Sequence, residues 1–250
     1  MHSRRSFIRL AVTLPFLLRA PSLGRAADDA QDTLDELQYP SFDLINESRP
    51  FGTHAPDKEQ YKRAKAIWEG APKGKAPYDI ANYFLSFEKT DAEVITQWPQ
   101  AASWNPLIVE FFSATNYRAE NDLTPWCAAF VNWCLKRSGR QTSGSPKSQS
   151  FLNENFFEQT KIPKIGDLAV FTCYEINTTK SVGLGHVAFL AKLPNPTDTQ
   201  IVCLGGNQTK EKNSRICQTP YALDAVRTKR TINKKRVPVD IKFNTYIRIV

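Results

Sequence analysis

The sequence predicts an α+β protein, because helical patterns fill its first half and strand patterns its second. Apolar residues recur at spacings of three and four between residues 61 and 68 and between residues 80 and 87. A third, more apolar helix is delimited over residues 125–138. Alternating or continuously apolar segments typical of strands follow at Gly166–Phe171, Gly185–Leu190 and Gln200–Leu204. With 250 residues, 41% of them hydrophobic, the chain can bury a sizeable core.

The charge of the chain argues against a nucleic-acid-binding protein. The net charge is +8, but five of the 33 basic residues lie in residues 1–26, which contain no acid. The rest of the chain carries 28 Lys and Arg against 25 Asp and Glu, and it shows no nucleic-acid recognition motif. No apolar run reaches the roughly 18 residues that a membrane-spanning helix needs, so the mature form is predicted to lack an integral membrane segment.

The first 26 residues have the layout of an export signal. Ser3-Arg4-Arg5-Ser6-Phe7-Ile8-Arg9 resembles the twin-arginine signal, and a short apolar run and the small residues around Arg25 follow it. We therefore predict a twin-arginine signal peptide over 1–26 and a periplasmic or secreted mature protein. A general secretory signal is the nearer alternative, and a cytosolic protein with a basic N-terminus is the simpler one.

Two further segments follow the signal in the predicted domain organisation. Residues 27–97 are predicted to form a leader and a helical extension, with one helix from Asp57, a break at residues 70–74 and a second helix from Pro77. Residues 98–250 are predicted to form the main domain. The basic cluster between Arg227 and Arg236 is interpreted as a solvated loop, with electrostatic contact to an anionic cell wall as the alternative.

Cys127 is the candidate nucleophile, because it lies near the start of the most apolar helix. Thr124 suits the N-cap, Pro125 the first helical position, and Gly139 the left-handed residue after the last turn. By this count Cys127 is the third helical residue. Unpaired amide groups and the positive end of the helix dipole there stabilise a thiolate. The simpler interpretation is a buried structural cysteine, which we adopt for Cys134.

His186 is the candidate base. Of the two histidines after residue 26, His54 lies in the Pro- and Gly-rich leader and is expected at the surface. Strand alternation places His186, Ala188 and Leu190 on one face and the residues between them on the other. A polar side chain after Gly205-Gly206 on a neighbouring strand could orient the imidazole, as in a Cys-His-Asn arrangement. A satisfied core histidine is the alternative.

The segments TPWCAAFVNW, GDLAVF, GHVAFL and LGGNQ, in this order, resemble the papain-like cysteine hydrolases of the CHAP and NlpC type. The resemblance covers about residues 98–222. It implies a nucleophile helix packed on an antiparallel sheet, and hydrolysis of amide bonds in peptidoglycan peptides. Carried over by motif, Cys127 is the nucleophile, His186 the base and Asn207 the orienting group. CHAP enzymes usually have Glu two residues before that Asn, where this chain has Gly205, so Gln208 is the alternative third residue.

A catalytically idle cell-wall-binding or scaffolding module of the same fold is the alternative function. In that case Asn207 merely closes a turn, and Cys127 is a packed core residue. The peptidoglycan peptide is the predicted partner in the enzymatic interpretation.

The five cysteines predict one catalytic thiol and two disulfides, given an oxidising compartment. We favour a bridge between Cys203 and Cys217, on segments expected to run antiparallel, which leaves Cys134 with Cys173. No metal and no cofactor are predicted, because there is no C-x-x-C spacing, few histidines and no Gly-rich phosphate loop.

Overall fold

The computed structural model describes residues 54–98, 103–211, 213–233 and 235–249. The predicted signal peptide over 1–26 and the leader up to residue 53 lie outside the described residues. Within the part that is described, no helix has the length and apolar character needed to cross a membrane.

Four α-helices precede a sheet of seven strands. The helices are α1 (Lys58–Gly70), α2 (Pro77–Leu85), α3 (Pro106–Phe111) and α4 (Cys127–Ser138). Short 3-10 turns occur at Ser86–Glu88, Ala92–Ile95, Phe112–Ala114 and Ser148–Leu152. The strands are β1 (Gln159–Thr160), β2 (Leu168–Glu175), β3 (Ser181–Leu190), β4 (Gln200–Lys210), β5 (Asn213–Ala222), β6 (Val226–Ile232) and β7 (Lys235–Ile247). The predicted α+β class is confirmed.

The helix ends follow the local sequence. Asp57 and Gln60 form a reciprocal capping box at the start of α1, and Asn105 caps α3 by accepting a hydrogen bond from the Leu107 amide. Proline occupies the first position of both α2 and α3, where its missing N–H costs nothing. Gly139 ends α4 with φ +78°, the left-handed conformation that glycine adopts without strain.

All strand pairings in the described sheet are antiparallel, and the strand order is β1-β7-β2-β3-β4-β5. Strand β6 pairs with the N-terminal part of β7, and β1 pairs with the C-terminal end of β7 on the same edge. The region around Arg227–Arg236, predicted as a loop, is therefore a hairpin of two strands. Its alternation of Thr, Val and Ile with basic residues suits a ribbon with one inner and one exposed face.

The two faces of the sheet bury two different cores. Val187 and Phe189 of β3 pack with the helices in the larger core, which α1 and α2 share with α4. Ala188 and Leu190 point to the other face, where Phe171 and Tyr246 form a second core. The predicted alternation along β3 is therefore confirmed, and it places His186 on the face away from the helices.

Residues 54–97 are tied to the rest of the chain by specific hydrogen bonds. The guanidinium of Arg137, in the last turn of α4, donates to the carbonyls of Glu69 and Ala71. The side-chain amide of buried Asn105 donates to the backbone carbonyls of Val94 and Thr96. These bonds hold the helical extension against the segment that leads into α4.

Candidate active site

Cys127 is the first residue of α4, two positions nearer the helix start than the sequence predicted. The N-cap is Trp126, and its side chain makes no capping hydrogen bond, so neither Thr124 nor Pro125 begins the helix. Trp126 is fully buried, with its ring stacked on Phe111 at a centroid distance of 6.0 Å. Packing of the indole, rather than a polar cap, thus sets where α4 begins.

His186 lies on β3 in an aromatic setting. Its ring centroid is 5.3 Å from that of Tyr221 and 6.3 Å from that of Phe171, and its side chain is nearly buried. Two polar atoms contact its Nε2: Oε1 of Gln208 at 3.3 Å and the hydroxyl of Tyr221 at 3.2 Å. Both contacts engage the same ring nitrogen.

The Gln208 amide determines which ring nitrogen of His186 carries the proton. Its Nε2 donates to the backbone carbonyls of Cys203 and Cys217, so its Oε1 must face the imidazole. Because Oε1 can only accept, Nε2 of His186 is the protonated nitrogen in the neutral ring. The lone pair then lies on Nδ1, which is the form that can accept a proton from a thiol.

Gln208, rather than Asn207, reaches His186 because β4 contains a bulge. The register Phe189↔Leu204 would place residue 207 opposite His186 if it continued unchanged. Instead the pairing of β4 with β5 shifts between Gly205 and Gln208, and Asn207 adopts φ +54°. The extra residue turns Asn207 to the opposite face. There its Oδ1 accepts a hydrogen bond from Ser214 at 2.9 Å.

Tyr221 is the site residue that the sequence analysis missed. It lies on β5 opposite Ile201, and its ring packs on Phe171 at a centroid distance of 4.8 Å. No local pattern distinguishes it from the other tyrosines. Only the pairing of β4 with β5, far apart from β3 in sequence, brings its hydroxyl to His186.

Burial dominates the electrostatics of this cluster. It lowers the pKa of His186 to about 4, the contact with Gln208 opposes this, and the positive charge of Arg230 adds to the lowering. Burial also raises the pKa of Tyr221 well above its ordinary value, and the nearby thiols of Cys203, Cys217 and Cys127 contribute. Cys127 therefore lies within electrostatic reach of the hydroxyl that contacts His186. The imidazole is neutral at pH 7.

The predicted disulfides do not form, since all five cysteines are thiols in the structure. Cys203 pairs with Thr219 and Cys217 with Gly205, so the two cysteines are diagonal neighbours across antiparallel strands. Diagonal positions are roughly 7–8 Å apart, beyond the usual Cα separation of a disulfide. Burial raises the pKa of Cys134 well above the ordinary value, that of Cys203 to about 12, and that of Cys217 as well. These three thiols are consequently poor nucleophiles.

Gly205 and Gly206 allow the nucleophile helix and the orienting amide to pack on β4. A Cβ on Gly205 would lie 3.0 Å from Oε1 of Gln208 and 2.8 Å from Cβ of Ala188. A Cβ on Gly206 would overlap the Trp126 ring and lie 2.9 Å from Cβ of Phe130. The lack of side chains here thus lets α4 and the Gln208 amide approach the strand from its two faces.

Gly206→Ala is expected to destabilise the fold by about 3 kcal/mol, because neither the buried Trp126 ring nor the α4 backbone can move away freely. The free energy of urea unfolding measures the effect. Gly183→Ala is the matched control: it has open space around it but φ +79°, so only backbone strain of about 1 kcal/mol is expected. A loss in Gly206→Ala no larger than in Gly183→Ala would contradict this account.

The described residues contain no group of three or more His, Cys, Asp or Glu side chains placed to hold a metal ion. A groove of about 700 Å³ lies between α1 and residues 104–119, and neither Cys127 nor His186 lines it.

A cysteine at the start of a buried helix and a histidine on an antiparallel sheet define the papain-like class of thiol hydrolase. Comparison with known protein families agrees: residues 119–207 match the model of the CHAP domain. This segment is similar to CHAP domains, and the similarity supports a hydrolase of the peptidoglycan amidase or peptidase type. The match spans little more than a third of the chain and includes Cys127, His186 and Asn207. No curated protein and no solved structure matches the sequence.

Proposed function

We propose that this protein is an exported cysteine hydrolase that cleaves amide bonds in the stem peptides of peptidoglycan through an acyl-enzyme. The observation that carries the proposal is the contact of 3.3 Å between Nε2 of His186 and Oε1 of Gln208. Gln208 holds the proton on Nε2, so Nδ1 is left to exchange a proton with a thiol. Cys127 is the nucleophile because α4 begins with it and because burial makes Cys134, Cys203 and Cys217 poorly reactive.

Acylation in this proposal begins from a neutral pair. Nδ1 of His186 takes the thiol proton of Cys127 as the sulfur attacks the substrate carbonyl, since the imidazole is uncharged at neutral pH. The developing oxyanion is stabilised at the positive end of the α4 dipole, since Cys127 is the first residue of that helix. The imidazolium then protonates the leaving amine, the C–N bond breaks, and a thioester remains.

Deacylation uses the same groups in reverse. Neutral His186 removes a proton from water, the hydroxide attacks the thioester carbonyl, and the carbon–sulfur bond breaks. The proton held by the imidazolium returns to the sulfur of Cys127, and the product leaves with a new carboxyl group. Gln208 is the orienting group in both steps, in place of Asn207, because it is the amide that contacts the ring.

Export is part of the proposal and is supported by the sequence of residues 1–26, with Arg4 and Arg5 followed by a short apolar run. A periplasmic or extracellular location would bring the protein to peptidoglycan. The alternative function is an idle wall-binding or scaffolding module, in which the same fold binds the polymer without cutting it.

Mass spectrometry of digested peptidoglycan separates the two functions. The purified protein is expected to release fragments with new amine termini from isolated peptidoglycan, and the mass difference identifies the bond that is cut. Cys127→Ala should release none, whereas Cys134→Ser should keep its activity per folded molecule, because Cys134 is buried within α4. Binding of the wild type to peptidoglycan without any new amine would support the idle module.

A further inference from the structure

The β6–β7 hairpin concentrates the positive charge of the chain. Residues 226–242 contain seven basic residues and one acid, a net charge of +6. Residues 27–250 together carry only +3, so the remainder of that stretch is net negative. The positive charge of residues 27–250 is therefore concentrated in this hairpin.

The hairpin has one outer and one inner face. Cross-strand partners point to the same side, so Arg230 shares its face with its partner Val237 and with Val239, which is 1% exposed. Ile241, two residues further along β7, packs in the second core with Phe171. Arg230 is therefore on the side of the sheet that carries His186. Arg227 and Lys229 alternate with it and point outward.

Arg230 also differs from Arg215 and Arg227 in its partners. Arg227 pairs with Asp240 and Arg215 with Glu211, so their charges are compensated. The guanidinium of Arg230 donates only to uncharged oxygens, the hydroxyl of Thr228 at 3.1 Å and the carbonyl of Lys229 at 3.0 Å. Within the part of the chain that the structure describes, no carboxylate forms an ion pair with it.

An uncompensated positive charge on the side of the sheet that carries His186 opposes protonation of the imidazole. Its field lowers the pKa of both His186 and Tyr221, which shows that the charge reaches the site. A carboxylate bound to the guanidinium would cancel that field and make the imidazole more basic in the complex. A carboxylate on the substrate would supply the negative charge that compensates Arg230 in the complex.

We propose that Arg230 binds a carboxylate of the substrate, so that the site selects peptides with a free carboxylate close to the amide bond that is cut. This inference rests on the proposed function, because it names the substrate class of the same site. This role makes Arg230 a determinant of specificity, whereas the outward-facing basic residues of the hairpin have no part in it.

Two alkylating agents test the anion site without requiring hydrolysis. Iodoacetate and iodoacetamide both transfer their carbon to the Cys127 sulfur and release iodide, but only iodoacetate carries a carboxylate. We expect Arg230→Gln to lower the ratio of iodoacetate to iodoacetamide rates at Cys127 by about tenfold. Lys229→Gln, which removes the same charge from the outer face, should leave the ratio unchanged. An equal fall in both variants, or no fall in Arg230→Gln, overturns the inference.

Hydrolysis provides the second measurement. The substrate is isolated peptidoglycan, either native or with its carboxylates converted to amides by carbodiimide and ammonia. The wild type should have a kcat/KM about tenfold higher on the native polymer, and Arg230→Gln should lose that preference while Lys229→Gln keeps it. Equal cleavage of both polymers by the wild type contradicts the inference alone. Failure to cleave either polymer contradicts the proposed function, and the alkylation ratio still judges the anion site.

Discussion

Replacing His186 with alanine is expected to lower amide hydrolysis at pH 7 by about 10³-fold. The loss is large because the variant removes the only group in the described cluster that can both accept the thiol proton and return it to the leaving amine. His54→Ala is the matched control, since His54 is exposed and bridges Ser103 rather than the site. It should keep full activity.

The pH dependence of Cys127 alkylation provides a second test of His186. The imidazole has a pKa of about 4, so the wild-type rate should rise through a midpoint near pH 4 and then level off. It should rise again only at higher pH, where the thiol itself ionises. In His186→Ala the first rise should vanish, leaving a rate that increases about tenfold per pH unit below the thiol pKa.

The pH dependence of the free energy of unfolding should also reflect the protonation of His186. The folded-state pKa of about 4 lies below the value of about 6.5 for an unfolded histidine, so the unfolded chain binds more protons between these values. The contribution is fully present above pH 6.5 and falls by about 3 kcal/mol as the pH drops to 4. Urea unfolding of the wild type should show this loss, and His186→Ala should not. A flat wild-type profile, or a midpoint of alkylation near pH 7, would contradict the buried neutral imidazole.

The helices and the faces of β3 could be predicted because their signals are local. Asp57, Pro77 and Gly139 mark helix ends by their own conformational preferences, and the structure places helix boundaries next to each of them. Alternation alone assigned Val187 and Phe189 to one face of β3 and Ala188 and Leu190 to the other. The start of α4 was misplaced by two residues, because burial of Trp126 overrides the capping preference of Thr124.

The remainder of the site depends on contacts between distant segments. Alternation along β4 turns residue 207 toward His186, and a single extra residue in the strand reverses that result. Tyr221 approaches the imidazole only through the pairing of β4 with β5. The same pairing places Cys203 and Cys217 in diagonal positions. A prediction that two strands run antiparallel does not decide whether two of their residues are diagonal or directly opposite. Register, rather than composition, therefore decides which side chains form the cluster.

Gln208→Ala is expected to lower kcat by about 10²-fold, because the imidazole loses the acceptor that holds its proton on Nε2 and fixes its orientation. Asn207→Gly is the matched comparison. Glycine keeps the positive φ of the bulge and removes only the hydrogen bond to Ser214, so kcat should change by less than about twofold. Both variants are compared at equal folded concentration, checked by far-UV circular dichroism.

Gln208→Glu distinguishes orientation from packing. A carboxylate at this position still accepts from Nε2 and favours the imidazolium, so the midpoint of Cys127 alkylation should move above pH 4. It can no longer donate to the carbonyls of Cys203 and Cys217, which would cost stability without removing the acceptor. The loss of kcat should therefore be smaller than in Gln208→Ala. If Asn207→Gly instead loses as much activity as Gln208→Ala and the Glu variant leaves the midpoint at pH 4, the orienting role belongs to Asn207.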